Sequence, residues 1–148
     1  MEFIEWHDTY ALGFPEIDDD HRAIFKILNT IMSAIDSKDW EQLRQLSADL
    51  VLALKRHYPR EERFLKKIGF SDLEKHTGHH HQMLEGAEKF AHLCETETDG
   101  ERLEEKLEEL ITALMKDVRG GDLNFRTDLL EKGLDKALSD RRVISIWL

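Results

Sequence analysis

Apolar side chains recur every three or four positions along four long stretches of this chain, a spacing that commits each stretch to a helix with one buried face. The first carries Ile17, His21, Ile24, Phe25, Leu28, Ile31 and Ile35 and predicts a helix from about Asp18 to Ser37. The second starts near Asp39, runs through Leu43, Leu50, Leu54, His57 and Phe64, and stops at Gly69. Ser71 and Glu74 have capping-box spacing, so the third is predicted from Asp72 to about Glu95. After a turn from Thr96 to Gly100, the fourth places Leu103, Leu107, Leu110, Leu114, Asp117 and Val118 on one face, then weakens at Gly120-Gly121. Pro59 lies inside the second helix, where it should kink or loosen the chain by roughly 3 kcal/mol unless packing compensates.

Four amphipathic helices with short connections predict an all-α, up-down-up-down four-helix bundle. Two Pro and eight Gly in 148 residues are too few for a turn-rich β architecture. The bundle is expected over residues 18–125. Residues 1–17 form an arm, apolar and aromatic at Phe3, Ile4, Trp6, Tyr10, Leu12 and Phe14, broken by Gly13 and Pro15, and extended over the core. Residues 126–148 form an extension with a short helix through Leu129, Leu130, Leu134 and Leu138 and an apolar end, Val143 to Leu148.

A formal net charge of −10 argues against nucleic acid or an anionic membrane as partner, since both require a positive surface. Much of that charge falls between Glu95 and Glu109, where eight acidic and two basic residues read as a solvated face. A single cysteine, Cys94, forms no internal disulfide and reads as a packed thiol, so a cytoplasmic location is expected. Met1 to Ile17 carries Glu and Asp where a secretory signal would be basic and then apolar, and no targeting segment is expected.

Polar residues on faces that should be core are what point to chemistry. Positions four apart on a helix differ by about 40° and point the same way. His57 and Glu61 form such a pair, as do His76 and His80. His21 shares the inward face of its helix with Ile24 and Leu28, and Asp117 that of Leu110 and Leu114. All four helices therefore aim ionisable groups at the bundle axis, where burial without partners costs about several kcal/mol each. A metal cluster satisfies them together. Imidazole with carboxylate suits first-row metals, and two irons fit better than zinc, which prefers a closed four-ligand site, or calcium, which takes oxygen ligands.

From Trp6 to Phe125 the chain resembles the hemerythrin family, and within it the bacteriohemerythrin-like domains. The resemblance is carried by Trp6, Gly13 and Asp18-x-x-His21, by His57-Tyr58-Pro59-Arg60-Glu61-Glu62 followed by Gly69-Phe70, and by His76-x-x-x-His80-x-x-Met83. It implies a cofactor of two non-haem iron ions, Fe2+ or Fe3+, with an oxo or hydroxo bridge, that binds O2 at one open position. His21 and His57 would serve one iron and His76 and His80 the other, with Glu61 and Asp122 as bridging carboxylates. The implied partner is O2 or another small diatomic, to be carried, stored or sensed.

The fourth helix departs from that pattern. The family motif has a histidine five residues before the bridging Asp, and here that position is Asp117. Asp117 either ligates iron in place of imidazole or leaves that iron a water ligand. An added anionic ligand favours Fe(III) and moves the expectation toward a di-iron oxidase, a peroxidase, or an NO- or iron-handling enzyme. A third reading is a metal-responsive interaction module that self-associates or binds a protein through residues 126–148. Among the remaining histidines, His79 is a reserve ligand candidate, while His7, His81 and His92 read as surface residues. Glu62 reads as solvated or as a neighbour of a ligand. Phe25, Leu28, Leu50, Leu54, Met83 and Leu114 read as core that also keeps the pocket dry.

Overall fold

The computed structural model describes residues 2–118 and contains a single 3-10 turn, Asp8–Tyr10, followed by helices α1 (Pro15–Ser37), α2 (Trp40–Lys67), α3 (Leu73–Cys94) and α4 (Gly100–Lys116). Among the described residues there is no strand, and the architecture is the expected all-α bundle. Asp122, Gly120-Gly121 and the extension 126–148 lie outside the described residues.

The helix ends follow local chemistry. Pro15 occupies the first turn of α1, so the helix begins three residues earlier than Asp18; proline is preorganised there and its missing N–H costs nothing. At the other end Lys38 adopts a left-handed conformation (φ 57°), and the Asp39 amide donates back to the Ala34 carbonyl. Asp39 then caps α2 by accepting from the Gln42 amide at 3.1 Å. Gly69, at φ 69°, lets the Phe70 amide reach the Leu65 carbonyl and turns the chain toward α3. Asp99 caps α4 through the Glu101 and Arg102 amides.

One expectation is corrected and one condition is met. The Ser71–Glu74 capping box does not form: Asp72 is the residue before α3, and it makes no side-chain cap. Pro59 does not interrupt α2, which runs unbroken through it. Pro59 is exposed, on the side of the helix where water can satisfy the carbonyl left without a donor.

One end of the bundle is dry. Ile31, Leu43, Leu50, Leu103 and Leu107 are fully buried there, drawn from α1, α2 and α4, with Ala87 and Phe90 from α3. Helix direction places the other end. In an up-down-up-down bundle the starts of α1 and α3 lie beside the ends of α2 and α4. His21, His57, His80 and Asp117 each sit one turn beyond an apolar layer made by Ile24, Leu54, Met83 and Leu114.

The arm seals this polar end. The buried Asp18 carboxylate accepts from the Leu12 amide at 2.8 Å and the Gly13 amide at 3.2 Å, and Phe14 packs on Phe64 with ring centroids 4.6 Å apart. Farther out, Asn29 pairs with both backbone groups of Ile4, while Trp6 and Tyr10 meet Phe25 edge-on. The arm lies over the core, with the Asp8–Tyr10 turn inside it and its last residues, from Pro15, already in α1. Replacing Asp18 with Ala strands two amides beneath the arm, and we expect a stability loss of about 1–3 kcal/mol in denaturant unfolding, with faster hydrogen exchange at Leu12 and Gly13.

Candidate metal centre

Each helix pair supplies its groups by register alone. His57 and Glu61 are four apart near the end of α2, and His76 and His80 are four apart near the start of α3, so each pair shares a face. His21 enters from α1. All five side chains are buried, Glu61 completely.

Four imidazole nitrogens converge on the Glu61 carboxylate. On one side, His57 Nε2 lies 2.8 Å and His21 Nε2 3.6 Å from Oε2. On the other, His76 Nε2 lies 2.5 Å and His80 Nε2 3.3 Å from Oε1. His21 Nε2 and His57 Nε2 are themselves only 3.1 Å apart. Two groups of donors thus share one carboxylate: His21, His57 and Glu61, and Glu61, His76 and His80, each with ligand atoms within 4.8 Å of one another.

The donors fit cations better than they fit each other. Among the described residues neither ring nitrogen of His80 has a hydrogen-bond partner, although both are buried, and Oε2 of Glu61 meets only the rings of His57 and His21. Such orphans cost free energy, and a cation shared by imidazole and carboxylate removes that cost. Four imidazole nitrogens and the two oxygens of one carboxylate suit a first-row metal and do not suit calcium.

Neighbouring groups hold two of the rings in place. Asp20 Oδ2 lies 2.9 Å from His57 Nδ1, and Arg60 Nη1 holds both oxygens of Asp20 at 2.9 and 3.1 Å. With Nδ1 engaged, His57 turns Nε2 toward Glu61. Tyr58 stacks on His80 at 4.0 Å between centroids, nearly parallel. Glu62 Oε2 is 3.6 Å from His80 Nδ1, so Glu62 stands beside a candidate ligand as the sequence suggested.

Burial lowers the pKa of His57, but the Glu61 carboxylate and then Asp20 outweigh it and push the value up to about 9. Glu61 shows the converse: burial raises its pKa, yet His57 and the other rings around it hold it well below the usual carboxylate range. His76 is raised, its burial outweighed by Glu61.

The structure brings together His21, His57, Glu61, His76 and His80. Asp117 points toward them without joining either donor group: its Oδ2 is 4.0 Å from His80 Nε2, and burial, with Glu61 adding to it, raises its pKa. His79, His81, His7 and His92 are exposed, and Cys94 is a buried thiol whose pKa burial raises to about 11.

The hemerythrin HHE cation-binding domain matches residues 12–123. The chain belongs to the hemerythrin family. A bacteriohemerythrin of Clostridium acetobutylicum is 25% identical over 125 residues, which cover 81% of this chain and 96% of that protein. No solved structure matches. In this hemerythrin domain, candidate metal-ligand groups of histidine and glutamate occupy the polar end of the bundle. No described helix is long and apolar enough to cross a membrane.

Sequence reasoning missed Asp20 and Arg60 as neighbours of the centre. Their pairing joins α1 to α2, and no spacing along either helix signals it. The raised pKa of His57 has a measurable consequence in metal-free protein. His57 stabilises the fold fully below its ordinary value of about 6.5, and that contribution is lost as pH rises through about 9. Glu61 acts in the opposite range, its contribution being lost only as pH falls well below the ordinary carboxylate value. We expect chelator-treated protein to lose on the order of 3 kcal/mol between pH 6 and pH 9.5, and a His57→Gln variant to lose most of that dependence, as read by denaturant unfolding.

Proposed function

We propose that this hemerythrin-family chain is a non-haem di-iron protein that binds or senses O2 or another diatomic. The reading rests on one observation: a fully buried carboxylate presents one oxygen to His21 and His57 and the other to His76 and His80. His21 and His57 would hold one iron, His76 and His80 the other, and Glu61 would bridge them. Asp122 is assigned the second bridge on the family motif alone, and Asp117 stands at the position where that motif has a fifth histidine. When bound, the iron pair supplies a redox-active, Lewis-acidic centre for the diatomic ligand.

The protein's own residues set the conditions for that chemistry. Asp20 takes the Nδ1 side of His57 and leaves Nε2 free to face Glu61. The layer formed by Ile24, Leu54, Met83 and Leu114, with Phe14 and Phe64 at the end, keeps water away. Glu61 stays ionised because its neighbours outweigh its burial.

A second reading, a di-iron enzyme that consumes its diatomic or peroxide ligand, is favoured specifically by Asp117. Its half-buried carboxylate adds negative charge where imidazole would be neutral, which favours the oxidised metal.

Metal analysis with visible spectroscopy tests the first reading and separates it from the second. After anaerobic reconstitution we expect two irons per chain, and Glu61→Ala should retain less than half of that. Exposure to O2 should produce a visible charge-transfer band that evacuation reverses. A band that evacuation fails to reverse, together with consumption of O2, selects the enzyme. If the protein stays iron-free, both readings fall. Asp117→His is expected to slow any irreversible consumption by about tenfold or more and to make the O2-dependent band reversible, measured by an oxygen electrode alongside the spectrum.

A further inference from the structure

Between α3 and α4 runs a cleft of about 860 Å3 that no diatomic requires, since a water molecule occupies only about 30 Å3. Its size falls within the roughly 300–1,000 Å3 of small-molecule sites. We infer that this cleft binds a small amphipathic anion, an aliphatic chain ending in a carboxylate, with the headgroup between Lys75 and Lys116 and the chain along the apolar floor.

The floor is apolar: Phe70, Met83, Phe90, Leu93 and Leu110 line it, and Ala113 leaves space on the α4 side. The rim is basic. Lys75, Lys89, Arg102, Lys106 and Lys116 face Asp72, Glu109 and Asp117, an excess of cations in a chain whose net charge is −10. A basic rim over an apolar floor complements an amphipathic anion and repels the corresponding cation.

Pairing places the headgroup. Lys89 lies 3.1 Å from Glu85, Arg102 3.8 Å from Glu97, and Lys106 3.4 Å from Glu109. Lys75 and Lys116 have no ion-pair partner among the described residues, and the headgroup is assigned to them. Both border the centre: Lys75 precedes His76, Lys116 precedes Asp117, and His76 and Asp117 line the same cleft. A ligand seated there would lie against the wall of the metal centre. The inference does not depend on iron, because the cleft and its charges belong to the protein alone.

Titration of the full-length chain with dodecanoate below its micellar concentration, followed by calorimetry with and without iron, tests it. We expect saturable binding of one dodecanoate per chain, with dodecyltrimethylammonium at least about tenfold weaker. Lys75→Glu with Lys116→Glu should weaken dodecanoate by about tenfold or more while leaving dodecanol within a few-fold. Ala113→Trp, at an exposed position, should block both ligands without unfolding the bundle. Absence of saturable binding, equal affinity for the cation, or unchanged affinity in both variants overturns the inference. Binding that appears only when Ile146 and Trp147 are replaced by Asp overturns it too, because the chain's own C-terminal segment would then be the occupant. Measuring with and without iron separates failure here from failure of the di-iron reading.

Discussion

A carboxylate with no access to water constrains the rest of this molecule. Glu61 is fully buried, and an ionised carboxyl there is tolerable only if positive charge or hydrogen-bond donors surround it. Four imidazoles provide that surround. Without metal, protons serve as the counter-charge, which is why the pKa of His57 is pushed up and that of Glu61 down. Cations and protons therefore compete for the same nitrogens, and metal uptake is coupled to proton release.

Antiparallel helix order is what assembles this surround from distant parts of the chain. His21 and His57 are separated by 36 residues yet their Nε2 atoms are 3.1 Å apart. Short connections at Lys38–Asp39 and around Gly69 turn consecutive helices back on each other, so the start of α1 meets the end of α2, and the end of α2 meets the start of α3. A shift of one residue on either α2 or α3 would rotate its pair by about 100° and remove both groups from the axis. Register, fixed by Leu50, Leu54 and Met83 in the adjoining core, is thus part of the site.

Sequence periodicity was enough to read the four helices and the inward histidines, because burial on a helix repeats every three or four residues whether the side chain is leucine or histidine. The positions of helix ends were less legible. Pro15 starts α1 and Asp72 precedes α3, and both outcomes depend on small differences between neighbouring cap residues. At Pro59 the stated exception applies: Tyr58 and Glu61 on the inner face are anchored in the core, and α2 runs through. Contacts between helices, such as Arg60 to Asp20 and Tyr58 over His80, leave no trace in spacing. Asp18 was legible only as the start of a motif, and its role in holding the Leu12 and Gly13 amides is a property of the folded arm.

Asp117 stands where these lines of argument meet. Burial and the negative charge of Glu61 both disfavour its ionised form, and a cation in the centre would favour it. A histidine there would contribute a neutral donor; an aspartate contributes charge only when something positive compensates it. Asp117 also lines the α3–α4 cleft, with Lys116 next to it in sequence. The departure from the family pattern therefore falls on a residue that, like His76, faces both the centre and the α3–α4 cleft. A change in charge on either side alters the electrostatic potential at the same carboxyl group.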